Sequence, residues 1–135
     1  VAVHDAARPC LDLKDLLGLM DKAQDEIKED GEGCYLSYQP TESVNLVKNE
    51  KVQKSLDRNN VWLSATPQVF CLEDLLSALT KANDDEKVFT DEVSAMLQYF
   101  KKDISIYPCN KTNIKVTKKE DLETVEQYLK LAGRI

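Results

Sequence analysis

The chain has 135 residues, of which 42% are hydrophobic, and a formal net charge of -6. This length suits one domain with a single core. The acidic balance argues against a general nucleic-acid-binding protein, because phosphate backbones require clustered cations, and no apolar run approaches the roughly 18 residues that a membrane span needs.

The candidate metal-binding and redox groups are four cysteines and one histidine, His4. The cysteines are widely spaced and form no CxxC pair, so the sequence does not predict a zinc site. This spacing favours free thiols in a reducing compartment over disulfides.

Val1-Ala2-Val3 is a short apolar run typical of a buried strand. Such a strand needs neighbours on both sides. We therefore expect the sequence to be a fragment, or to have a further N-terminal portion. A polar turn over residues 4–10, closed near its end by Pro9, follows the strand.

A helix is predicted over residues 12–29, where apolar residues recur with a helical period. Asp12 can cap its first turn, and Gly31 and Gly33 end it. Its predicted apolar face consists of Leu13, Leu16, Leu17, Met20, Ala23 and Ile27.

Residues 34–62 have no helix-period apolar stripe, and their short β-prone pieces are interrupted by Pro40 and by polar residues. Few side chains there could enter a large core. We predict an arm of two or three strands that leaves the domain body, with a turn at residues 57–60 near its return. The body then comprises residues 1–33 and 63–135.

In the second half, predicted helices alternate with short apolar strands, which argues for a layered α/β sheet. A helix over residues 72–82 would bury Leu72, Leu75, Leu76 and Leu79. A helix that opens at residues 90–92 would bury Val93, Met96, Leu97 and Phe100. Short strands are predicted at residues 104–107 and 113–116.

The last helix is predicted to start with a capping box, in which Thr117 and Glu120 each satisfy a free backbone N–H. Gly133 is predicted to end it. The side chains expected to point inward are Leu122, Val125, Leu129 and Ala132.

Polar clusters at predicted strand ends and helix starts are the candidate ligand sites, because ligands bind there in open α/β sheets. Of the 18 basic residues, only three are arginines, and two of these, Arg8 and Arg58, lie in the clusters. A guanidinium offers forked donors that match phosphate geometry, although chance could also place two of three arginines there. The clusters occupy residues 4–10, 58–68, 90–92 and 113–117.

Single residues in these clusters allow two readings each. Asp5 can bind Mg²⁺, because hard cations take oxygen donors, or it can cap its own turn. Thr90 can cap its helix, or its helix start can hold a phosphate oxygen, although Asp91 and Glu92 would oppose an anion there. Lys115, inside the last predicted strand, indicates by itself only a solvated face.

Four motifs occur in a fixed order along the chain. Residues 3–9 read VHDAARP, residues 57–59 read DRN with TPQVF at residues 66–70, residues 90–94 read TDEVS, and residues 113–117 read NIKVT. This order resembles the methylerythritol phosphate cytidylyltransferases over nearly the whole chain. The related ribitol phosphate cytidylyltransferases share the HDA, TPQ and NIK elements, but they typically read AVRP and lack the serine-bearing form of the TDEVS motif.

The resemblance implies that the phosphate of 2-C-methyl-D-erythritol 4-phosphate attacks the α-phosphate of CTP and releases pyrophosphate, a step of isoprenoid synthesis by the non-mevalonate pathway. It implies a partial Rossmann-like, doubly wound and mostly parallel sheet with a projecting β-arm. It further implies a homodimer clasped through the arm, in the cytoplasm of a bacterium or in a plastid if the source is eukaryotic.

Matching the motifs implies roles for six residues. Asp5 would lie beside Mg²⁺ and the substrate, Arg8 would help to hold the substrate, and Thr66 and Thr90 would contact its sugar-alcohol part.

The two residues with implied catalytic roles are Lys115 and Arg58, which would fix the attacking phosphate. Because Arg58 lies where the arm returns, it would act in the site of the neighbouring subunit.

The chain departs from the family pattern in two ways. Glu42-Ser43 stand where family arms usually carry an Asp-Thr pair, and no glycine-rich loop with an arginine and a lysine for the CTP phosphates occurs. We therefore expect this chain alone to bind CTP weakly or not at all. Two alternatives stay open: an enzyme for another sugar-alcohol phosphate such as ribitol 5-phosphate, and a non-catalytic fragment that serves dimerisation.

Overall fold

The structure is a computed structural model that describes residues 1–29, 32–100 and 103–135. Within these ranges no helix combines the length and the apolar character needed to cross a bilayer. The elements follow in the order β1 (Ala2–Val3), α1 (Leu13–Lys28), β2 (Gly33–Tyr38), β3 (Val44–Lys48), β4 (Lys51–Leu56), a short 3₁₀ helix (Arg58–Asn60), β5 (Leu63–Phe70), α2 (Leu72–Asp84), α3 (Glu92–Tyr99), β6 (Ile104–Pro108) and α4 (Asp121–Leu131).

The main sheet has the strand order β1-β5-β2-β6. The predicted α/β class is confirmed. Among the described strands, however, the sheet is mostly antiparallel: β5 runs antiparallel to both β1 and β2, and only β2 and β6 are parallel. The reason is that the chain returns from β2 to β5 through a two-stranded ribbon rather than through a helical crossover, and only a crossover makes neighbouring strands parallel. Strand β1 lies at one edge of the sheet.

Helices cover both faces of this sheet. Leu19 and Ala23 of α1 pack against Leu36 of β2 and Val69 of β5 on one face. On the other face, Phe70 of β5 joins the buried side chains of α2 and α3, which are Leu75, Ala78, Val93 and Met96. Strand β5 is thus buried from both sides.

The helices occur where they were predicted, but some of their predicted apolar faces are wrong. In α1, Leu13 is 67% exposed, and the helix packs through Leu19, which was outside the predicted face, together with Ala23. A helical period shows that a face exists, whereas the neighbouring elements decide which side of the helix is buried. The other predicted core residues that are exposed are Leu17, Met20, Leu72, Leu76, Leu79, Leu97, Leu122 and Ala132.

The ends of the first and last helices follow the predictions in part. Asp12 caps α1 by accepting from the Lys14 N–H, as predicted, whereas Gly31 lies outside the described residues. Before α4 the predicted capping box is wrong. Thr117 and Lys118 donate their backbone N–H groups to Asp121, at 2.9 Å each, and Glu120 makes no capping hydrogen bond.

The strand predicted at residues 113–116 is also wrong. The Ile114 N–H donates to the Thr112 carbonyl oxygen at 2.8 Å, and the Val116 N–H donates to that of Ala7 at 2.8 Å. The first bond is a local one, and the second holds the segment against the turn at residues 4–10 instead of in a strand ladder.

The part of the chain that projects from the body is shorter than the predicted range 34–62. Strand β2 belongs to the main sheet, with Cys34 and Leu36 buried. Strands β3 and β4 form a separate two-stranded sheet, and the apolar side chains of Leu46, Val47 and Val52 are exposed on it.

Gly33 provides a test of the packing between β2 and β5. A Cβ atom at this position would lie 2.2 Å from the backbone oxygen of Val69. Because both atoms belong to the sheet, neither can move freely, and Gly33→Ala should lower the free energy of unfolding by about 3 kcal/mol.

Gly133→Ala is the matched control, because a Cβ there meets no atom within 4 Å, although its φ of +64° disfavours alanine. It should lower the free energy of unfolding by about 1 kcal/mol. Urea unfolding that found the two variants equally stable would contradict this account of the strand contact.

Candidate active site

A cavity of about 540 Å³ opens beside β5 and the start of α3. Five of the six predicted site residues line it, namely Asp5, Arg8, Thr66, Thr90 and Lys115. A larger cavity of about 1090 Å³ lies on the other side of the turn, against α4, and only Asp5 and Arg8 of that set reach it. The smaller cavity therefore contains most of the predicted site residues.

Strand β5 places Thr66 in this cavity. Successive strand side chains alternate between the two faces of a sheet, so Thr66 lies on the face of Gln68 and Phe70. The register between β2 and β5 shifts opposite the segment around Pro67, which has no N–H to donate to a ladder. Such irregularities re-aim side chains.

Arg8 is the structural centre of the site and is only 8% exposed. Its Nε donates to Asp5 Oδ2 at 3.0 Å, its Nη1 to the Asn113 carbonyl oxygen at 2.7 Å, and its Nη2 to that of Ser64 at 3.5 Å. The guanidinium thus joins the first turn, β5 and the NIKVT segment. Because each of its three nitrogens donates within the protein and the residue is buried, its contacts organise the site more than they offer hydrogen bonds to a ligand.

Asp5 lies between two cations. Lys115 Nζ is 3.3 Å from each of its carboxylate oxygens, in addition to the bond from Arg8. Burial raises the pKa of Asp5, but the hydrogen bonds and charges of Arg8 and Lys115 outweigh it, so the pKa lies below its ordinary value of 3.8. Asp5 is therefore ionised. Lys115, which is 48% exposed, is available to a ligand, and so is Lys87, which also lines the cavity.

The start of α3 contributes two carboxylates to the lining of the cavity, those of Asp91 and Glu92. Asp91 caps α3 by accepting from the Ser94 N–H at 3.0 Å, which is the role predicted for Thr90. Burial raises the pKa of Asp91, but hydrogen bonds from Ser94 and Gln68 outweigh it and lower the pKa overall. With Glu92 and Lys87 also in the lining, the start of α3 and the segment before it contribute both acidic and basic side chains to the cavity.

Sequence reasoning missed three residues that hold the site together. Buried Gln68 accepts from the Val93 N–H at 3.0 Å and so attaches α3 to β5. Asn113, only 1% exposed, donates from Nδ2 to the Thr66 carbonyl oxygen at 2.9 Å. His4 Nδ1 lies 2.9 Å from Thr66 Oγ1. Their only signal in the sequence was membership of the four motifs.

Arg58 is the one predicted site residue that lies apart. It is exposed, donates from Nη1 to the Thr41 carbonyl oxygen at 2.6 Å, and lines a different cavity of about 470 Å³ with Trp62 and Lys111. A role for Arg58 in the site of another subunit stays a prediction.

Within the described ranges, no group of three or more His, Cys, Asp or Glu side chains could hold a metal ion. Mg²⁺ sites, however, often combine one or two carboxylates with water and substrate phosphates. Asp5 is ionised and borders the cavity, so it fits as a single protein ligand of that kind.

Arg8→Lys tests whether the branched set of donors of the Arg8 guanidinium stabilises the fold. A single ammonium cannot reach three acceptors in three segments, so a buried acceptor loses its partner, and the free energy of unfolding should fall by about 1–3 kcal/mol. Chemical denaturation measures this change.

Arg134→Lys is the control, because Arg134 makes one exposed hydrogen bond, from Nη1 to the Leu11 carbonyl oxygen at 3.1 Å. The free energy of unfolding of Arg134→Lys should differ from that of the wild-type protein by less than about 0.5 kcal/mol. If Arg8→Lys and Arg134→Lys were equally stable, the branched donors of Arg8 would not contribute to the free energy of unfolding.

The model of the 2-C-methyl-D-erythritol 4-phosphate cytidylyltransferase family matches residues 1–131. A protein of that name from Vesicomyosocius okutanii is 33% identical over 129 residues, which are 96% of this chain and 51% of the relative. One from Klebsiella pneumoniae is 37% identical over 134 residues, which are 96% of this chain and 53% of the relative. The chain therefore spans about half the length of the curated relatives it matches.

The fold agrees with that of a solved structure whose protein carries the same name as these relatives. The crystal structure of the Francisella tularensis 2-C-methyl-D-erythritol 4-phosphate cytidylyltransferase superposes with a TM-score of 0.82 at 34% identity, and the match covers 96% of this chain and 58% of that one. The family predicted from the four motifs is thus confirmed: the chain belongs to the 2-C-methyl-D-erythritol 4-phosphate cytidylyltransferases.

Proposed function

We propose that the protein transfers CMP from CTP to 2-C-methyl-D-erythritol 4-phosphate. A phosphate oxygen of the acceptor forms a bond to the α-phosphorus of CTP, the bond from that phosphorus to the β-phosphate breaks, and pyrophosphate leaves. The convergence of Asp5, Arg8, Thr66 and Lys115 on one cavity carries this proposal. Asp5 and Lys115 are in contact although they lie 110 positions apart in sequence.

The charge distribution of the cavity supports the proposed orientation of the acceptor. Its phosphate would lie at Lys115, where an ammonium can neutralise it, and not beside Asp91, which would repel it. Its hydroxyl groups would then lie toward Thr66 and Thr90. The protein contributes mainly orientation and charge neutralisation, since nucleotidyl transfer needs no covalent intermediate with a side chain.

Mg²⁺ belongs to the proposal as the divalent cation that neutralises charge on the transferring phosphate, with Asp5 as its protein ligand. Asp5 already meets two cations, Arg8 and Lys115. The residue that can leave it is Lys115, because Arg8 is buried and Lys115 is exposed.

The homodimer is also part of the proposal, and the ribbon of β3 and β4 supports it. A two-stranded ribbon is marginal in water without a partner surface, and this one exposes Leu46, Val47 and Val52. The four cysteines are free, which supports a reducing compartment. We therefore place the enzyme in a bacterial cytoplasm, or in a plastid if the source is eukaryotic.

The function is tested by pyrophosphate release in the protein as its source organism makes it. CTP and 2-C-methyl-D-erythritol 4-phosphate should support turnover, and ribitol 5-phosphate should do so poorly. Lys115→Ala should lower kcat/KM about 30- to 1000-fold, because a charge-assisted contact to the phosphate is lost. Lys119→Ala, an exposed lysine outside the cavity, is the control. Efficient turnover of ribitol 5-phosphate instead would overturn the proposed acceptor.

A second prediction concerns Arg58 and the subunit boundary. If its guanidinium forks onto the acceptor phosphate of a neighbouring subunit, Arg58→Ala should lower kcat/KM about 30- to 1000-fold. Arg58→Lys should not restore it, because one ammonium cannot copy a two-point contact.

Mixing Arg58→Ala subunits with Lys115→Ala subunits should form heterodimers that contain one complete site. That site takes Lys115 from one chain and Arg58 from the other. Each variant mixed with itself is the control. If heterodimers verified by mass regain no activity while both variants fold, Arg58 does not act across the interface.

A further inference from the structure

The Thr66 hydroxyl has two partners within the protein, and they restrict what it can offer to a ligand. The backbone N–H of Asp5 lies 3.0 Å from Thr66 Oγ1, and Nδ1 of His4 lies 2.9 Å from the same atom. An amide N–H can only donate, so Thr66 Oγ1 accepts from Asp5. The direction of the hydrogen bond to His4 then decides where the hydroxyl hydrogen points.

The second ring nitrogen of His4 settles that direction. Its Nε2 lies 3.2 Å from the carbonyl oxygen of Arg8, and a carbonyl oxygen can only accept. The hydrogen of the neutral imidazole is therefore on Nε2, which leaves Nδ1 as an acceptor. Consequently the Thr66 hydroxyl donates its hydrogen to His4 Nδ1.

One lone pair of Thr66 Oγ1 then remains, and Thr66 lines the cavity. This atom has no hydrogen to give, so it can only accept from a ligand. His4 does not line that cavity and lies on the other side of Thr66, against the larger one. Its influence on a ligand therefore passes through the threonine hydroxyl.

We propose that His4 is a positioning residue that makes Thr66 an obligate hydrogen-bond acceptor, and thereby selects an acceptor substrate with a hydroxyl group at that place. The selection follows because a buried acceptor that meets no donor loses a hydrogen bond it made with water. An ether, a carbonyl or a phosphate oxygen at that place has no hydrogen to donate. Its lone pairs would therefore face the lone pair of Thr66 Oγ1 and repel it. The statement about the ligand rests on the proposed function, whereas the statement about His4 and Thr66 does not.

Without His4, the threonine hydroxyl is free to rotate. It could then turn its hydrogen toward an acceptor-only group of a ligand, such as a fluorine or a phosphate oxygen. Removing His4 should therefore weaken selection between ligands more than it weakens binding as a whole.

The tautomer is measured directly by NMR of the ring nitrogens in protein labelled with ¹⁵N-histidine. His4 is the single histidine of residues 1–135, and signals absent from His4→Phe identify it. At alkaline pH, where an imidazole is neutral, the spectrum should show hydrogen on Nε2 and none on Nδ1. Hydrogen on Nδ1, or a ring that is still charged, would overturn the proposal whatever the enzyme catalyses.

The effect on selection is measured with 2-C-methyl-D-erythritol 4-phosphate and its monofluoro analogues as acceptors. In each analogue, fluorine replaces one hydroxyl group and can accept a hydrogen bond but not donate one. For one analogue, the wild-type protein should show a kcat/KM about 3- to 10-fold lower than for the parent compound, which is the worth of one hydrogen bond. In His4→Phe this ratio should approach one, and Thr66→Val should have the same effect.

The double variant separates positioning from general damage. Because His4 acts through the Thr66 hydroxyl, adding His4→Phe to Thr66→Val should not change the ratio further. A His4→Phe protein that folds and keeps the wild-type ratio would overturn the proposal. Absence of CMP transfer in the wild-type protein would instead overturn the proposed function, and the tautomer measurement would still test the contact between His4 and Thr66.

Discussion

The buried guanidinium of Arg8 is the interaction on which the site depends. A buried charge is tolerated when it is paired and hydrogen-bonded, and Arg8 donates to acceptors in three segments, at Asp5, Ser64 and Asn113. Asn113 lies 105 positions away in sequence. The turn after β1, the start of β5 and the NIKVT segment are thereby held at the same place, although no strand ladder joins the third to the other two.

The cavity that results is lined by side chains of both charges. Lys115 contacts the carboxylate of Asp5, and hydrogen bonds and nearby cations outweigh burial and lower the pKa of Asp5. Hydrogen bonds likewise outweigh burial and lower the pKa of Asp91, which also lines the cavity. Lys115 and Lys87 are the exposed cations of this lining. In the proposed orientation the acceptor phosphate lies at Lys115, and the hydroxyl of Thr66 adds the direction of a hydrogen bond.

The ribbon of β3 and β4 differs from the domain body in the burial of its side chains. Its side chains are exposed and it forms a sheet of its own, whereas β2 and β5, the strands on either side of it in the chain, are the most buried of the main sheet. The chain therefore leaves the core after β2 and re-enters it at β5. That excursion explains both the antiparallel pairing of β2 with β5 and the distance of Arg58 from the other site residues.

The sequence by itself determined the helical segments, the cap at Asp12, the family, and five of the six predicted site residues that line one cavity. These depend on local periodicity and on motifs whose residue types carry their own chemistry. Only the tertiary structure decided that α1 packs through Leu19 rather than Leu13, and that residues 113–116 bond to the turn at Ala7 instead of forming a strand.

The tertiary structure also decided that Asp91, rather than Thr90, caps α3, and that Arg8 serves the site from within the protein. The physical reason is the same in each case. A hydrogen-bonding group or an apolar face has several possible partners along the chain, and the partner is chosen when distant segments pack together, which no local pattern records.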